Sequence, residues 1–282
     1  MTPPIPPRIF PSAEADAKRG NTPTAVPQTE HPAYRLAFQD DEFLLREDLR
    51  PVRFQLELLK TELLLAEADI TSTFVFYGSA RIPSPEDAPA VLAAATTPEQ
   101  KAVAERLAAK AKYYDVAREL ARLISSDCPD GERCFTVCSG GGPSIMEAAN
   151  RGAWDVGAPS LGLNIVLPHE QVPNPYVTPG LSVQFHYFAL RKMHFLMRAK
   201  AVAVFPGGFG TFDELFELLT LVQTGKVAPL PILIYGRDFW NRVVNFDALA
   251  EEGVIAPADL ALFHFVETAQ EGWDIVKRHY GL

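Results

Sequence analysis

The sequence predicts a doubly wound α/β fold: a mostly parallel sheet with helices on both faces, preceded by an N-terminal helical extension. From residue 71 onward, short apolar runs of strand length alternate with longer helical patterns. The apolar runs lack the polar alternation of half-exposed strands, which indicates strands buried on both faces. This β/α alternation is typical of Rossmann-like folds.

Three regions follow one another along the chain. Residues 1–35 are rich in proline, which disfavours regular helix, and are predicted to form an extended or disordered arm. Residues 36–70 have a helical apolar pattern and are predicted to form an N-terminal helical segment of two helices. Residues 71–282 are predicted to form the Rossmann-like domain. Its strands are predicted at 73–77, 135–138, 161–167, 183–187, 201–205 and 231–235, and its helices at 98–125, 144–151, 189–200, 211–224 and 239–251, with an exposed insertion at 87–97.

The overall charge narrows the choice of partners. The 282 residues carry a formal net charge of -9, which argues against nucleic acid as a partner because a phosphate backbone requires a basic surface. A small anion remains compatible, since a local group of backbone amides can bind it.

The cysteines and the apolar stretches predict the compartment. Cys128, Cys134 and Cys138 fit no metal-binding spacing, so we expect reduced thiols and no metal site. We find no secretory signal and no run of about 18 apolar residues. We therefore expect a cytoplasmic protein with no membrane partner.

Glycine-rich turns follow three of the predicted strands. They read Gly78-Ser79-Ala80-Arg81, Ser139-Gly140-Gly141-Gly142-Pro143-Ser144 and Pro206-Gly207-Gly208-Phe209-Gly210-Thr211. Glycine lets backbone amides approach an anion, and a following helix adds unpaired amides and partial positive charge. Because ligands of open α/β sheets bind at the carboxyl ends of strands, these turns predict a phosphate site. Simple tight strand-to-helix turns are the alternative.

The third turn also positions a carboxylate. Thr211 is predicted to begin a helix, with Glu214 in its first turn and Glu217 on the same face. A capping box between Thr211 and Glu214 would explain the pair structurally. The same spacing places a carboxylate about one turn from a bound phosphate, near the sugar of a nucleotide.

Arg191 and Lys192 lie near the start of the preceding predicted helix. Cations at that end oppose the helix dipole, which is mildly unfavourable unless an anion or a carboxylate is nearby. A solvated basic turn is the alternative. The dinucleotide fingerprint and the P-loop pattern both fail, because Ile145 and Thr220 replace required glycines.

Taken together, these motifs resemble the Lonely Guy (LOG) family, once labelled "lysine decarboxylase-like", and in particular its longer bacterial members. The residues that carry the resemblance are Gly78-Ser79-Ala80-Arg81, Gly140-Gly141-Gly142, Arg191-Lys192, and Pro206-Gly207-Gly208-Phe209-Gly210-Thr211 followed by Glu214.

The resemblance implies an enzyme without a cofactor. It would hydrolyse the N-glycosidic bond of a nucleoside 5'-monophosphate, of the AMP or cytokinin riboside type, to free base and ribose 5-phosphate. It implies a homodimer or larger homo-oligomer, and Arg191 and Glu214 as catalytic residues. The implied substrate-binding residues are Ser79, Gly140, Gly141, Gly142, Ser144, Lys192, Gly207, Gly208, Gly210 and Thr211.

Two positions depart from the family pattern. Ser144 stands where longer relatives have glycine, and its hydroxyl is expected to cap the following helix or to donate to a phosphate. Asp213 stands where shorter members have glutamate.

Two other functions are compatible with parts of the pattern. A non-catalytic nucleotide or molybdenum-cofactor carrier shares the loop architecture but requires neither Arg191 nor Glu214. A pyridoxal-phosphate decarboxylase requires a Schiff-base lysine, for which Lys192 and Lys226 are available without supporting residues around them.

Overall fold

The computed structural model describes residues 10–20, 25–126, 135–168 and 172–282. Cys128 and Cys134 lie outside these residues. The chain divides into two compact units, Met1–Leu59 and Lys60–Leu282. The division falls within one helix, between the predicted boundaries at residues 35 and 70.

The first unit consists of short helices. The Asp40 carboxylate accepts a hydrogen bond from the Phe43 amide at 3.2 Å and caps the helix at Asp41–Leu44. Residues 13–20 and 27–30 are helical although the proline content predicts an extended arm. Pro27 starts its helix at a position that tolerates proline, because the missing N–H has no helical acceptor there. The helices are α1 (Ala13–Gly20), α2 (Pro27–Glu30), α3 (Asp41–Leu44) and α4 (Arg50–Glu67), which continues into the second unit, with 3-10 turns at Pro32–Tyr34, Ala37–Gln39 and Glu47–Leu49.

The second unit is built on a seven-stranded sheet in which every described pairing is parallel, and this confirms the predicted fold class. Its strands are β1 (Thr73–Tyr77), β2 (Thr136–Ser139), β3 (Ser160–Ile165), β4 (Ser182–Phe185), β5 (Ala199–Val204), β6 (Ile232–Tyr235) and β7 (His264–Val266). Its helices are α5 (Ala88–Ala94), α6 (Pro98–Ala108), α7 (Lys112–Ser126), α8 (Ile145–Trp154), α9 (Phe188–Met197), α10 (Phe209–Gln223), α11 (Arg237–Val243), α12 (Phe246–Glu251) and α13 (Ala269–Tyr280), with 3-10 turns at Pro179–Leu181 and Pro257–Leu262.

The strand order creates a switch point at the centre of the sheet. The order is β4-β3-β2-β1-β5-β6-β7, so the chain builds outward from β1 on one side and then returns to build outward on the other. Loops leaving the carboxyl ends of β1 and β5 therefore diverge, and a crevice opens between them.

The strand residues alternate between the two faces of the sheet. Phe76, Ala203 and Tyr235 share one face with the buried residues of α7, α8 and α13. The ring of Phe205, directly after β5, stacks between Phe76 and Tyr235 at centroid distances of 6.3 Å and 4.4 Å. This apolar layer holds the central strands in place beneath the crevice.

Several helical boundaries differ from the sequence prediction. The predicted helix at 98–125 is divided into α6 and α7, and the one at 239–251 into α11 and α12, where the Asn245 side chain accepts from the Ala248 amide and caps α12. The predicted insertion contains α5. β7 and α13 were not predicted, although Thr268 and Glu271 form a capping box that marks the start of α13. None of the helices in the described ranges combines the length and apolarity that crossing a membrane requires.

Candidate active site

A cleft of about 990 Å³ opens at the carboxyl ends of the central strands. β1 lies between β2 and β5 in the sheet, and the glycine turns that follow these three strands all reach the cleft. This is the position where open α/β sheets bind ligands. The predicted site residues that line it are Ser79, Gly140, Gly142, Arg191, Gly207, Gly208, Gly210, Thr211 and Glu214.

The turn after β5 leads into α10, which begins at Phe209 rather than at the predicted Thr211. Gly208 precedes the helix and no side chain caps it, so the capping-box alternative for Thr211 and Glu214 is wrong. Within the described part of the chain, the amides of Phe209, Gly210 and Thr211 donate to no backbone or side-chain acceptor. Because the first amides of a helix carry partial positive charge, they form an anion-binding position at the cleft.

Gly207 is required by close packing within this turn. A Cβ atom at Gly207 would lie 2.1 Å from the Thr211 Oγ1 atom, and Thr211 itself is buried. A Cβ atom at Gly208 or Gly210 would meet open space. The turn is therefore packed tightly on its inner side and open where a ligand can approach.

Helices α9 and α10 bring the two predicted catalytic residues together. Arg191 Nη1 and Glu214 Oε1 are 3.8 Å apart, and their side chains are only 11% and 15% exposed. Arg191 Nε donates to the Leu163 carbonyl oxygen at 2.7 Å, and the guanidinium carbon lies 5.1 Å from the centre of the Phe195 ring. A Cβ atom at Gly140 would lie 2.6 Å from Arg191 Nη2, so glycine lets the guanidinium reach the second turn.

The surroundings of Glu214 place its titration near neutral pH. Burial raises the pKa of Glu214 to about 7, while the positive charge of Arg191 opposes this rise. Asp213 and Glu217 raise the pKa of Glu214 further, and Lys192 lowers it. Burial also lowers the pKa of Arg191, which the charge of Glu214 opposes. A carboxyl group titrating near neutrality beside a fixed cation is suited to stabilise positive charge or to exchange a proton.

A buried network of side-chain amides holds the second glycine turn. Asn174 Nδ2 donates to the carbonyl oxygens of Gly141 and Gly142, at 3.1 Å and 3.0 Å, and to Asn150 Oδ1 at 3.0 Å. The Ser139 hydroxyl donates to Asn150 Oδ1 at 2.7 Å and accepts from the Gly141 amide at 3.0 Å. No local motif predicts this network, because Asn174 lies 33 residues beyond Gly141.

Two predicted substrate-binding residues of this turn do not line the cleft. Gly141 uses both its amide and its carbonyl oxygen inside the network. Ser144 has a φ of 66°, in the left-handed region that favours glycine. Its hydroxyl neither caps α8 nor faces the cleft, because it donates to the Ile82 carbonyl oxygen.

Lys192 is also absent from the cleft lining. Its Nζ atom lies 2.9 Å from Asp213 and 3.1 Å from Glu217, two carboxylates of α10. The side chain is only 17% exposed. Lys192 therefore joins α9 to α10 through Asp213 and Glu217, which precede and follow Glu214 in the sequence.

Other lining residues come from segments without a glycine motif and were not predicted. Lys110 and Leu107 belong to the segment between β1 and α7, and Asn164 to β3. The Asn164 Nδ2 atom donates to the Val183 carbonyl oxygen at 3.2 Å, so its position depends on the pairing of β3 with β4. The remaining unpredicted residues include Met146, Pro173, Gln184, Phe188 and Phe239.

Cys138, the cysteine that the structure describes, is buried in β2, and this burial raises the pKa of its thiol. Among the described residues, no group of three or more His, Cys, Asp or Glu side chains could hold a metal ion.

Comparisons with known proteins place the site in context. A family model described as "Possible lysine decarboxylase" matches residues 146–276. The chain is 26% identical over 179 residues to the probable cytokinin riboside 5'-monophosphate phosphoribohydrolase LOGL3 of Oryza sativa subsp. japonica, covering 60% of this chain and 78% of that one. It is 27% identical over 173 residues to the cytokinin riboside 5'-monophosphate phosphoribohydrolase LOG1 of Arabidopsis thaliana, covering 60% and 76%.

Among solved structures, the molybdenum cofactor carrier protein of Chlamydomonas reinhardtii aligns with 75% of this chain and 99% of its own, at 17% identity and a TM-score of 0.44. The family model covers the segment that contains Arg191 and Glu214. The family model and the curated relatives confirm the resemblance drawn from the sequence motifs: this chain is similar to the LOG phosphoribohydrolases.

Proposed function

We propose that this protein hydrolyses the N-glycosidic bond of a nucleoside 5'-monophosphate, of the AMP or cytokinin riboside type, and releases the free base and ribose 5-phosphate. The observation that carries the proposal is the buried Arg191–Glu214 pair, which faces the same cleft as the free amides of α10. The curated relatives named as phosphoribohydrolases support it.

In this mechanism, the 5'-phosphate binds to the first amides of α10, which fixes the ribose beside Glu214. The bond between the anomeric carbon and the base nitrogen breaks, its electron pair leaves with the base, and the base nitrogen takes up a proton from solvent to give the free base. Positive charge develops on the ribose, and the Glu214 carboxylate stabilises it and accepts a proton from the attacking water. Arg191 lies close enough to orient this carboxylate.

The first test replaces the carboxylate. We expect Glu214→Gln to retain AMP binding and to lower the rate of adenine release by about 10²–10⁴-fold, the usual contribution of such a group. Calorimetry measures the binding, and chromatography of the products measures the release. Glu251→Gln, at an exposed position of α12, is the matched control and should retain the wild-type rate. Wild-type protein that binds AMP without releasing adenine would favour a carrier, and normal release by Glu214→Gln would remove Glu214 from the mechanism.

The second test removes the phosphate. Binding energy from the phosphate serves to position the ribose, so adenosine should be turned over far more slowly than AMP at equal concentration. Comparison of adenine release from the two compounds measures this difference. Equal rates would contradict the role of the α10 amides.

A further inference from the structure

The segment between β1 and α7 contributes a cation to the cleft. Lys110, directly after α6, is partly buried and lines the cleft together with Arg81. Its Nζ atom donates to the Arg106 carbonyl oxygen at 2.7 Å and lies 5.9 Å from the centre of the Phe239 ring. These contacts fix the direction of the ammonium group and leave two of its three N–H bonds for other acceptors.

Close packing places this lysine beside the turn that precedes α10. A Cβ atom at Gly236 would lie 2.9 Å from the Tyr113 Oη atom and 3.0 Å from the Pro206 Cγ atom. The Tyr113 amide donates to the Lys110 carbonyl oxygen at 2.9 Å, and the Phe239 amide donates to the Gly236 carbonyl oxygen at 3.0 Å. Lys110 is therefore connected, through Tyr113 and Phe239, to Gly236, which packs against Pro206 at the start of the turn before α10.

The ammonium group of Lys110 forms no ion pair with a carboxylate among the described residues. Burial, and then repulsion by Arg106 and Arg242, lowers the pKa of Lys110. Within the described residues, none of these three side chains, nor that of Arg81, forms an ion pair with a carboxylate.

Two carboxylates act on Tyr113, whose amide donates to the Lys110 carbonyl oxygen. Glu267 accepts from the Tyr113 hydroxyl at 3.3 Å, and burial, followed by the negative charges of Glu267 and Asp238, raises the pKa of Tyr113. Arg106 and Arg242 repel Lys110, which lines the cleft with Arg81, in a chain whose net charge is -9. An anion bound at Lys110 would offset this repulsion.

We propose that Lys110 and Arg81 form a second anion subsite beside the α10 amides, and that besides the monophosphate substrate the cleft also binds a nucleoside 5'-diphosphate, with its second phosphoryl group on Lys110. This inference rests on the proposed position of the 5'-phosphate. Lys110 and Arg81 both lie outside residues 146–276, the segment that the family model matches. The cleft volume of about 990 Å³ is at the upper end of the usual range of ligand clefts, about 300–1,000 Å³.

Calorimetry with ADP and AMP tests the subsite. The titrations use the Glu214→Gln background, so that turnover does not consume the ligand, and contain EDTA, so that both nucleotides are free of metal ions. ADP should bind more tightly than AMP. Lys110→Met should weaken ADP binding about tenfold, the loss of one charge-assisted contact, and change AMP binding by less than about twofold. Lys110→Arg should retain the preference for ADP. Lys101→Met is the matched control, since this lysine is exposed on α6 away from the cleft.

Equal losses of ADP and AMP affinity in Lys110→Met would overturn the proposal, because Lys110 would then belong to the 5'-phosphate site. Equal binding of ADP and AMP by the parent protein would overturn it as well. A preference for ADP that depends on Lys110, together with wild-type protein that releases no base from AMP, would retain the subsite and reject the hydrolase. The two proposals can therefore fail separately.

Discussion

Glu214 contributes a carboxyl group whose ionisation depends on opposing influences. Burial raises its pKa to about 7 and Arg191 limits the rise. Below this pKa the carboxyl group is neutral and cannot stabilise positive charge on a ribose, whereas above it the carboxylate is available. The proposed reaction should therefore lose activity on acidification, in a range where an exposed glutamate would remain ionised.

We expect kcat/KM for AMP to rise with pH and to level off above about pH 7. Initial rates of adenine release at several pH values, between about pH 5 and pH 9, measure this rising limb of the pH profile of kcat/KM. In Asp213→Asn the limb should move to lower pH, because the negative charge of Asp213 raises the pKa of Glu214. A profile that stays flat through neutrality would contradict the assignment of Glu214.

At the scale of elements, the turn before α10 depends on one glycine for packing. Gly207→Ala would force a Cβ atom against Thr211 and should lower the free energy of unfolding by about 1–3 kcal/mol, the usual cost of overpacking. Gly210→Ala is the matched control, since its Cβ atom meets open space in the first turn of a helix, where alanine is favourable. Denaturant unfolding of the ligand-free variants measures both. Equal stabilities would contradict the packing at Gly207.

The elements that the sequence predicted well are those with a strong local signal. All six predicted strands form, with ends within two residues of the predicted positions, because uninterrupted apolar runs identify buried strands. β7 has only three residues and its first, His264, is exposed, so no apolar run marks it. The start of α10 was misplaced because Gly207 and Gly208 suggest a turn that continues to Thr211, whereas the helix already begins at Phe209.

At the scale of the whole molecule, the candidate site combines local and distant contributions. The glycine turns could be predicted, because each lies within a short motif and parallel strands bring their carboxyl ends to one edge. Arg191 and Glu214 were expected as catalytic residues only through the family resemblance. Asn174 and Lys110 could not be predicted, since they meet the turns only after the chain has folded across the sheet.

The homodimer implied by the family resemblance stays a prediction. α9, which carries Arg191, exposes Phe188, Met193 and Met197 by 55%, 40% and 48%. Burial of such apolar side chains would favour association. Light scattering should give at least twice the chain mass for the wild-type protein and a lower mass for the double variant Met193→Lys and Met197→Lys. Val103→Lys, at a position that is 53% exposed on α6, should not change the mass. A monomeric wild-type protein would contradict the prediction.

The amide network around Asn174 has a consequence for the thermodynamics of nucleotide binding. Ser139, Asn150 and Asn174 satisfy the polar groups of Gly141 before any ligand arrives, so this turn is already ordered in the free protein. Such preorganisation spares the complex the conformational entropy that ordering a loose glycine segment would cost. Affinity at this edge of the cleft should therefore depend on residues that never touch the nucleotide.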